Sequence, residues 1–336
     1  DKFASYNSSA QILMLFACRF CLVFIQKHHL AVDRVLVNNK VQDLHDRHKA
    51  CTYTVPYRQR GSPMSENSRA PVNDFHPASL SAIRLTDGFW ADRQRINSET
   101  TLQLEYEHCR STGRFDALLQ TWAPGKPNKP HHFWDSDIAK WIEAAAYTLA
   151  LRPDPELYRK GREVIDRLKT AQQPDGYLNS YFSSVCPDRR WTNLRDMHEL
   201  YCAGHLMEAA VAWFECTGER DLLDVMCRYA DYIATVFGLG ENQRRGYCGH
   251  PEIELALMRL ADVTGNSKYA DLAAYFVMER GCEPRYFDLE ATARGEAPAP
   301  DRNAYMQAHE PICDQTTAEG HAVRAAYLFA GAADVA

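Results

Sequence analysis

The sequence predicts an all-α fold of stacked helical hairpins, either an α/α toroid or an α-solenoid. One unit recurs along the chain: a long loop ends in polar or aromatic residues, a helix follows, and a tight turn leads into a second helix. The first helices of successive units begin about 55–65 residues apart, without a matching repeat of individual residues. Stacking such hairpins places the short turns at one end and the long loops at the other, where the loops can build a cleft.

Apolar residues at helical spacing, and the turn residues between them, place the individual helices. A first helix is predicted over residues 93–109, and Asp135 and Asp137 are predicted to cap a helix after a proline-bearing loop at 121–134. The hairpins are predicted at residues 138–152 with 156–172, 197–216 with 221–237, and 252–263 with 267–280. The first helix of the second pair is predicted to start at about residue 194, and a helix from residue 316 opens a fourth pair. We also predict an extended aromatic segment at 177–182 and a long loop at 283–312.

The first 63 residues are unlike the rest of the chain. Residues 1–70 hold ten Lys/Arg against five Asp/Glu, a charge of +5 that leaves −11 of the total −6 for residues 71–336. The apolar run at 13–25 contains Arg19 and is shorter than the ~20 residues that a membrane-spanning helix needs. Cys18 and Cys21 have the spacing of a metal pair, but no second pair completes a zinc site. We interpret residues 1–63 as a disordered or artefactual extension and place the domain start at Met64.

Composition and charge narrow the function classes. The apolar fraction of 46% and the charged fraction of 24% are typical of globular proteins, and the net charge of −6 disfavours nucleic-acid binding. Eleven cysteines without disulfide spacing favour a reducing compartment, so we expect a cytoplasmic protein with no membrane partner. The sequence has neither a lysine-bearing phosphate loop nor a G-x-S-x-G nucleophile elbow.

Polar and aromatic residues concentrate at the long-loop ends of the predicted hairpins. Aromatic rings can cover the apolar face of a sugar while short polar groups hydrogen-bond its hydroxyls. A single histidine at a helix start is usually a cap or a satisfied polar residue, but a set at equivalent places favours a binding role. This set is His198, His250, His309 and His321. His205 lies two turns deeper than His198, so we expect it to be buried and structural.

Several long motifs together resemble a known family. The stretch WTNLRDMHELYCAGHLMEAAVA is preceded by FWDSDIAKWIEAAAY and AQQPDGYLNSYF. It is followed by GENQRRGYCGHPEIELALMRL and by YMQAHEP with QTTAEGHAVRAAYL. In these motifs and their order, residues 85–336 resemble the β-L-arabinofuranosidase family of glycoside hydrolases (family 127). The resemblance does not extend to residues 1–63.

The resemblance implies an (α/α)6 barrel, of which this chain would hold an incomplete toroid of about three and a half hairpins behind an irregular N-terminal extension. It implies a retaining hydrolase that removes non-reducing-end β-L-arabinofuranosyl units from an oligosaccharide or glycoconjugate. Three family histidines that contact the sugar map onto His198, His250 and His321, and a family glutamine aligns with Glu107. Further candidates for the rim of the site are Trp134, Asp137, Tyr181 and His309.

The resemblance implies that the catalytic groups lie beyond Ala336. Members of the family use a glutamate acid/base and a cysteine nucleophile, which is held on zinc with further cysteines and a glutamate. All of these follow the helix that contains GHAVRAAYL, so we expect no catalytic residue and no zinc ligand within residues 64–336. Retaining hydrolysis needs both an acid and a nucleophile, so this chain alone is expected to be inactive.

Two other functions remain open from the residues alone. On the same toroid, His198 and His321 could act as the two proton-transfer groups of a sugar epimerase. Alternatively, the chain could bind carbohydrate without catalysis. A metal role for His198 and Cys202, four residues apart, is disfavoured because no third ligand has suitable spacing.

Overall fold

The computed structural model describes residues 80–336. The predicted extension at 1–63, the domain start at Met64 and the Cys18–Cys21 pair lie outside the described residues. Residues 84–336 belong to one compact unit. Within 80–336 the backbone is helical and contains no β-strand, only an isolated bridge between Phe237 and Arg244. The all-α prediction is therefore confirmed.

The helices follow the predicted hairpin order. Short 3₁₀ segments lie at Leu80–Ala82 and Pro187–Arg189, and a π-helical segment, Asn97–Thr101, joins α1 to α2. The α-helices are α1 (Gly88–Ile96), α2 (Leu102–Ser111), α3 (Arg114–Ala117), α4 (Trp134–Leu151), α5 (Pro155–Ala171), α6 (Ser180–Ser184), α7 (Glu199–Thr217), α8 (Asp221–Val236), α9 (Ile253–Thr264), α10 (Ser267–Glu279), α11 (Tyr286–Ala293), α12 (Pro300–Tyr305) and α13 (Ala322–Val335).

Two layers of helices account for the burial pattern. The first helices of the hairpins form one layer, in which α4 contacts α7, α7 contacts α9 and α9 contacts α13. Their partners α5, α8 and α10 form the second layer, with α5 against α8. Helix α7 is buried from Glu199 to Trp213, whereas α5 buries one stripe, which includes Leu157, Val164 and Leu168. A helix that is apolar on every side belongs inside, and an amphipathic helix belongs outside.

Close packing of the inner layer depends on Gly204 in the middle of α7. A Cβ atom at this position would lie 2.7 Å from Cγ of Glu252 and 2.9 Å from the backbone nitrogen of Ile253. Only a glycine lets the start of α9 approach α7 this closely. The chain before α9 is thereby brought against the chain before α7.

The stretch before α7 is not helical, although the apolar pattern predicted a helix from residue 194. The backbone N–H of Leu194 donates to Oε1 of Glu290 at 2.5 Å, and that of Trp191 donates to Oε2 of Glu199 at 2.7 Å. His198 then has a left-handed backbone, with φ of 59°. Distant carboxylates therefore satisfy the donors that a helix would have used, so α7 begins at Glu199.

Other predicted boundaries were wrong for similar reasons. The final helix begins at Ala322 instead of residue 316, because the side-chain amide of Gln307 donates to the carbonyl oxygens of Glu319 and His321 and holds that segment as a loop. The predicted loop at 283–312 contains the short helices α11 and α12, and the predicted extended segment at 177–182 includes the start of α6. The Asn179 side chain caps α6 by accepting from the N–H of Phe182.

The predicted caps Asp135 and Asp137 do not cap α4. The helix begins at Trp134, and both aspartates lie in its first turn. The buried Asp135 accepts from the backbone N–H of Ser180 at 2.7 Å, so it joins α4 to α6. Asp137 pairs with Arg114 of α3, with 2.9 Å between Nε and Oδ2. The two carboxylates hold neighbouring elements against α4.

Candidate functional site

Histidine side chains gather where the inner helices begin. His198 directly precedes α7, His250 lies three residues before α9, and His321 directly precedes α13. The ring centroids of His198 and His250 are 6.0 Å apart, and those of His250 and His321 are 6.4 Å apart. His132, before α4, has its ring 5.3 Å from that of His198. Four consecutive inner helices thus contribute one imidazole each to a histidine row (His132, His198, His250 and His321).

Backbone hydrogen bonds orient three rings of the histidine row. Nδ1 of His198 lies 2.8 Å from the carbonyl oxygen of Asp196, and Nδ1 of His250 lies 2.9 Å from that of Pro251. His321 is the N-cap of α13, and its Nδ1 accepts from the backbone N–H of Arg324 at 3.4 Å. Because each Nδ1 is engaged locally, each Nε2 remains the ring nitrogen that can serve a ligand.

The imidazoles of the row are neutral at physiological pH. Burial lowers the pKa of His132 and of His198 to about 4, and it lowers the pKa of His250 well below the ordinary value and that of His321 in the same direction. Neighbouring positive groups act in the same direction, and Arg324 lowers the pKa of all but His132. A neutral imidazole offers one donor and one acceptor, which suits hydroxyl groups.

Tyr201 and Lys140 lie beside the row. The Tyr201 ring has its centroid 4.5 Å from that of His250 and 5.5 Å from that of His198. Lys140, on α4, donates from Nζ to the Tyr201 hydroxyl at 2.9 Å. Burial lowers the pKa of Lys140, but its contact with Tyr201 and the nearby carboxylates raise that pKa more, so the ammonium stays charged. This contact fixes the ring on which two histidines pack.

A buried pair lies next to Tyr201. The His205 ring stacks edge-on against Tyr201, with centroids 4.5 Å apart, and its Nδ1 lies 3.0 Å from Oε1 of Glu252. His205 is 1% exposed and Glu252 is not exposed at all. His205 is therefore in the buried position expected for a structural residue. Since Glu252 is the N-cap residue of α9, the pair ties α7 to the loop that carries His250.

The other predicted binding residues occupy different surroundings. The ring centroids of Tyr181 and His132 are 6.1 Å apart. Near the same end of α4, Cζ of the Arg114 guanidinium lies 5.2 Å from the centroid of the Trp134 ring. His309 pairs with Glu310, with 3.5 Å between Nε2 and Oε1. Asp137 pairs with Arg114. Glu107 is exposed on α2, and its Oε2 lies 2.7 Å from Nη2 of Arg110. Their roles in binding stay predictions.

Near the histidine row, the described residues include groups that can bind a ligand, but the cysteine there is not in its reactive form. Cys202 donates from Sγ to the carbonyl oxygen of His132 at 3.5 Å, and burial raises its pKa well above the ordinary value. It is therefore a thiol, and the thiolate is the reactive form. Within residues 80–336, no group of three or more His, Cys, Asp or Glu side chains could hold a metal ion. The zinc that the resemblance implies therefore has no matching donor set among these residues.

The sequence pattern matches a family model along most of the described chain. Residues 82–336 match the model described as the catalytic domain of β-L-arabinofuranosidase, glycoside hydrolase family 127. The chain belongs to glycoside hydrolase family 127. No helix among residues 80–336 is long and apolar enough to cross a membrane.

Relatives within family 127 support the assignment. A non-reducing-end β-L-arabinofuranosidase of Bifidobacterium longum subsp. longum is 42% identical over 212 residues, which is 60% of this chain and 32% of that protein. The crystal structure of a β-L-arabinofuranosidase from Geobacillus stearothermophilus T6 is 46% identical, with a TM-score of 0.72 over 75% of this chain and 41% of that one. The solved structure of another family 127 β-arabinofuranosidase is 32% identical, with a TM-score of 0.68. The match covers 77% of this chain and 40% of that one.

These similarities confirm the predicted family and the incomplete helical toroid. The chain spans about a third to two fifths of the length of these relatives. Its helical hairpins are therefore one part of the proteins that it resembles.

The sequence reasoning missed Lys140 as a residue beside the row. It also singled out neither Tyr201 nor Tyr327 for the site, and the ring centroid of Tyr327 lies 5.4 Å from that of His250. A signal for Lys140 existed: it is the one basic residue in α4, Trp134–Leu151, which is otherwise largely apolar. A lone lysine inside such a helix must find a buried partner or an aqueous cleft.

Proposed function

We propose that this chain forms the sugar-binding wall of a retaining β-L-arabinofuranosidase and binds a non-reducing-end L-arabinofuranosyl unit through His198, His250 and His321. The observation that carries the proposal is the histidine row itself. Three neutral imidazoles from three consecutive inner helices line up with each Nε2 left to a ligand. Family membership supplies the substrate class.

The surroundings of the row suit a sugar. The rings of Tyr201 and Phe133 border His198, and the ring of Tyr305 borders His321 at 5.4 Å. Aromatic rings pack on the C–H surface of a sugar while hydrogen-bonding groups take its hydroxyls. All four histidines of the row are partly exposed, so a ligand can reach them.

We further propose that hydrolysis requires groups beyond residues 80–336. The resemblance assigns the acid/base glutamate and the cysteine nucleophile to positions after the helix α13. A retaining mechanism needs both, because one group protonates the leaving oxygen while the other attacks the anomeric carbon. The neutral histidines can orient the ring hydroxyls, but they cannot replace that pair.

Binding and turnover are tested separately. Titration calorimetry with methyl β-L-arabinofuranoside should detect binding, and His198→Ala and His250→Ala should each weaken it roughly tenfold, because each removes a hydrogen bond in a partly buried site. His108→Ala changes an exposed histidine on α2 and is the matched control. No binding by the unaltered chain at millimolar sugar would refute the binding role.

Turnover is measured with p-nitrophenyl β-L-arabinofuranoside. We expect no release of nitrophenol by the 336-residue chain, and measurable turnover would contradict the proposed need for further groups. Glu107→Ala tests the aligned position directly: weaker sugar binding would support its place in the site, whereas unchanged binding would remove it.

The structure disfavours the epimerase alternative. A general base for proton abstraction works best with a pKa near the operating pH. Burial instead lowers the pKa of His198 to about 4 and lowers that of His321, so neither is a strong base. Since His250 lies between them in the row, they also do not face each other directly across one carbon.

A further inference from the structure

The hydrogen bonds that hold the histidine row also determine which ring nitrogen carries the proton. A backbone carbonyl oxygen can only accept. Nδ1 of His198 faces the carbonyl of Asp196 at 2.8 Å, and Nδ1 of His250 faces that of Pro251 at 2.9 Å. Each of these Nδ1 atoms must therefore be the donor. In the neutral ring, Nε2 is then left with a lone pair and no hydrogen.

His321 has the opposite arrangement. Its Nδ1 caps α13 by accepting the backbone N–H of Arg324 at 3.4 Å. A backbone N–H can only donate, so this Nδ1 carries the lone pair and Nε2 carries the hydrogen. The difference follows from position: His321 has the extended backbone of an N-cap, with ψ of 118°, whereas His198 is left-handed and makes no side-chain cap.

We propose that the histidine row binds its ligand with a fixed hydrogen-bond polarity. Nε2 is an acceptor in His198 and in His250, and it is a donor in His321. Two hydroxyls of the sugar donate to His198 and His250. His321 donates to a sugar oxygen, and it is the one position of the three that can serve an oxygen without a hydrogen, such as the ring or glycosidic oxygen. The sugar is thereby oriented along the row. This inference depends on the proposed sugar-binding function for its ligand.

Two contacts hold in place the loops that orient these rings. Arg324 donates from its guanidinium to the carbonyl of Gly249 at 3.2 Å, which ties the start of α13 to the loop of His250. The Gly249 position tolerates no side chain, since a Cβ there would lie 1.9 Å from the carbonyl oxygen of Arg195. Reversing a ring by 180° would put a carbon where Nδ1 is and break the bond to the backbone, which leaves a backbone polar group unpaired.

The tautomers are measured without any sugar. Selective ¹⁵N labelling of histidine in the full chain, with ¹H–¹⁵N correlation through two and three bonds, distinguishes a protonated Nδ1 from a protonated Nε2. We expect Nδ1–H for His198 and His250 and Nε2–H for His321 at neutral pH, each assigned by loss of its signal in the corresponding glutamine variant. His108, exposed on α2, gives the solvent reference. Any one of the three in the other tautomer overturns the proposal.

Fluorinated sugars test which hydroxyls of the ligand donate to the row. Fluorine removes the hydroxyl proton and can only accept weakly, so monofluoro analogues of methyl β-L-arabinofuranoside that replace a hydroxyl bound by His198 or His250 should bind roughly tenfold more weakly. In His198→Ala or His250→Ala, the analogue whose fluorine faces the removed ring should bind that variant about as well as the parent sugar does. In His321→Ala, both penalties should remain; their loss there would contradict the proposed polarity.

The two failures are distinguishable. Expected tautomers without any binding of the parent sugar would refute the proposed function and leave the polarity of the row established by the spectra. Sugar binding with different tautomers would refute the polarity and leave the proposed function intact.

Discussion

Replacing Glu199 by glutamine should stabilise the protein above neutral pH and leave it unchanged near pH 4. Glu199 begins α7 and is 1% exposed. Its Oε1 accepts from the Tyr177 hydroxyl at 2.6 Å, and its Oε2 accepts from the backbone N–H of Trp191 at 2.7 Å. Burial raises the pKa of this carboxyl from 4.5 to about 8, and the two hydrogen bonds only partly offset that rise.

The sign follows from the direction of the shift. A carboxyl with a higher pKa in the folded state binds its proton more tightly there than in the unfolded chain. Its contribution to stability is therefore fully present below pH 4.5 and is lost as the pH rises towards about 8. At about 1.4 kcal/mol for each pKa unit, the loss between pH 4 and pH 7 is roughly 3 kcal/mol.

A glutamine keeps the shape and both contacts without the charge. Its oxygen can accept from the N–H of Trp191, and its amide can donate to the oxygen of Tyr177 in place of the hydrogen bond that Glu199 accepts there. Urea unfolding of both proteins between pH 4 and 8.5 should show a difference in the free energy of unfolding that is near zero at pH 4 and grows to roughly 3 kcal/mol in favour of Glu199→Gln at pH 7. Glu241→Gln, an exposed loop carboxyl, is the control. A difference that does not change with pH would refute the reasoning.

Three further predictions concern the site and its supports. Sugar affinity should stay level from about pH 8 to pH 6 and fall towards pH 4 in calorimetry, because protonating His198, whose pKa is about 4, removes its acceptor; a maximum near pH 5 would contradict this. Gly204→Ala should destabilise the protein by roughly 1–3 kcal/mol in urea, since its Cβ would meet Glu252; unchanged stability would mean that the helices are not so close. Asp137→Asn should lower the free energy of unfolding by roughly 1–3 kcal/mol, because it breaks the largely buried ion pair with Arg114. An equal loss in the Arg114→Met background would show that this ion pair is not the cause.

Much of the fold could be predicted because helices have a local signature. The helix 156–172 was placed within one residue of α5, whose buried stripe, capping Asp154 and first-turn Pro155 are all visible in the sequence. The turn between residues 216 and 221 was placed for the same reason, since it contains Gly218, and a left-handed glycine that ends a helix has a recognisable pattern. Features that depend on residues three or four apart can be read without the tertiary structure.

Errors occurred where a distant partner overrode the local pattern. The segment before α7 looked helical, but Glu290 of α11 takes the N–H groups of Leu194 and Arg195. Asp135 looked like a cap, but it accepts from Ser180 of α6. These partners lie 45 to 96 residues away along the chain, and no periodicity indicates them.

The sequence by itself determined the helical class, the order of the hairpins, the family, and three histidines placed ahead of inner helices. The tertiary structure alone decided that the three rings stand in one row, that Lys140 and Tyr201 lie beside it, and which nitrogen of each ring is held by the backbone. The physical reason is that helix formation depends on neighbours along the chain. The meeting of α7, α9 and α13, and the hydrogen bonds at their first residues, depend instead on how those helices pack.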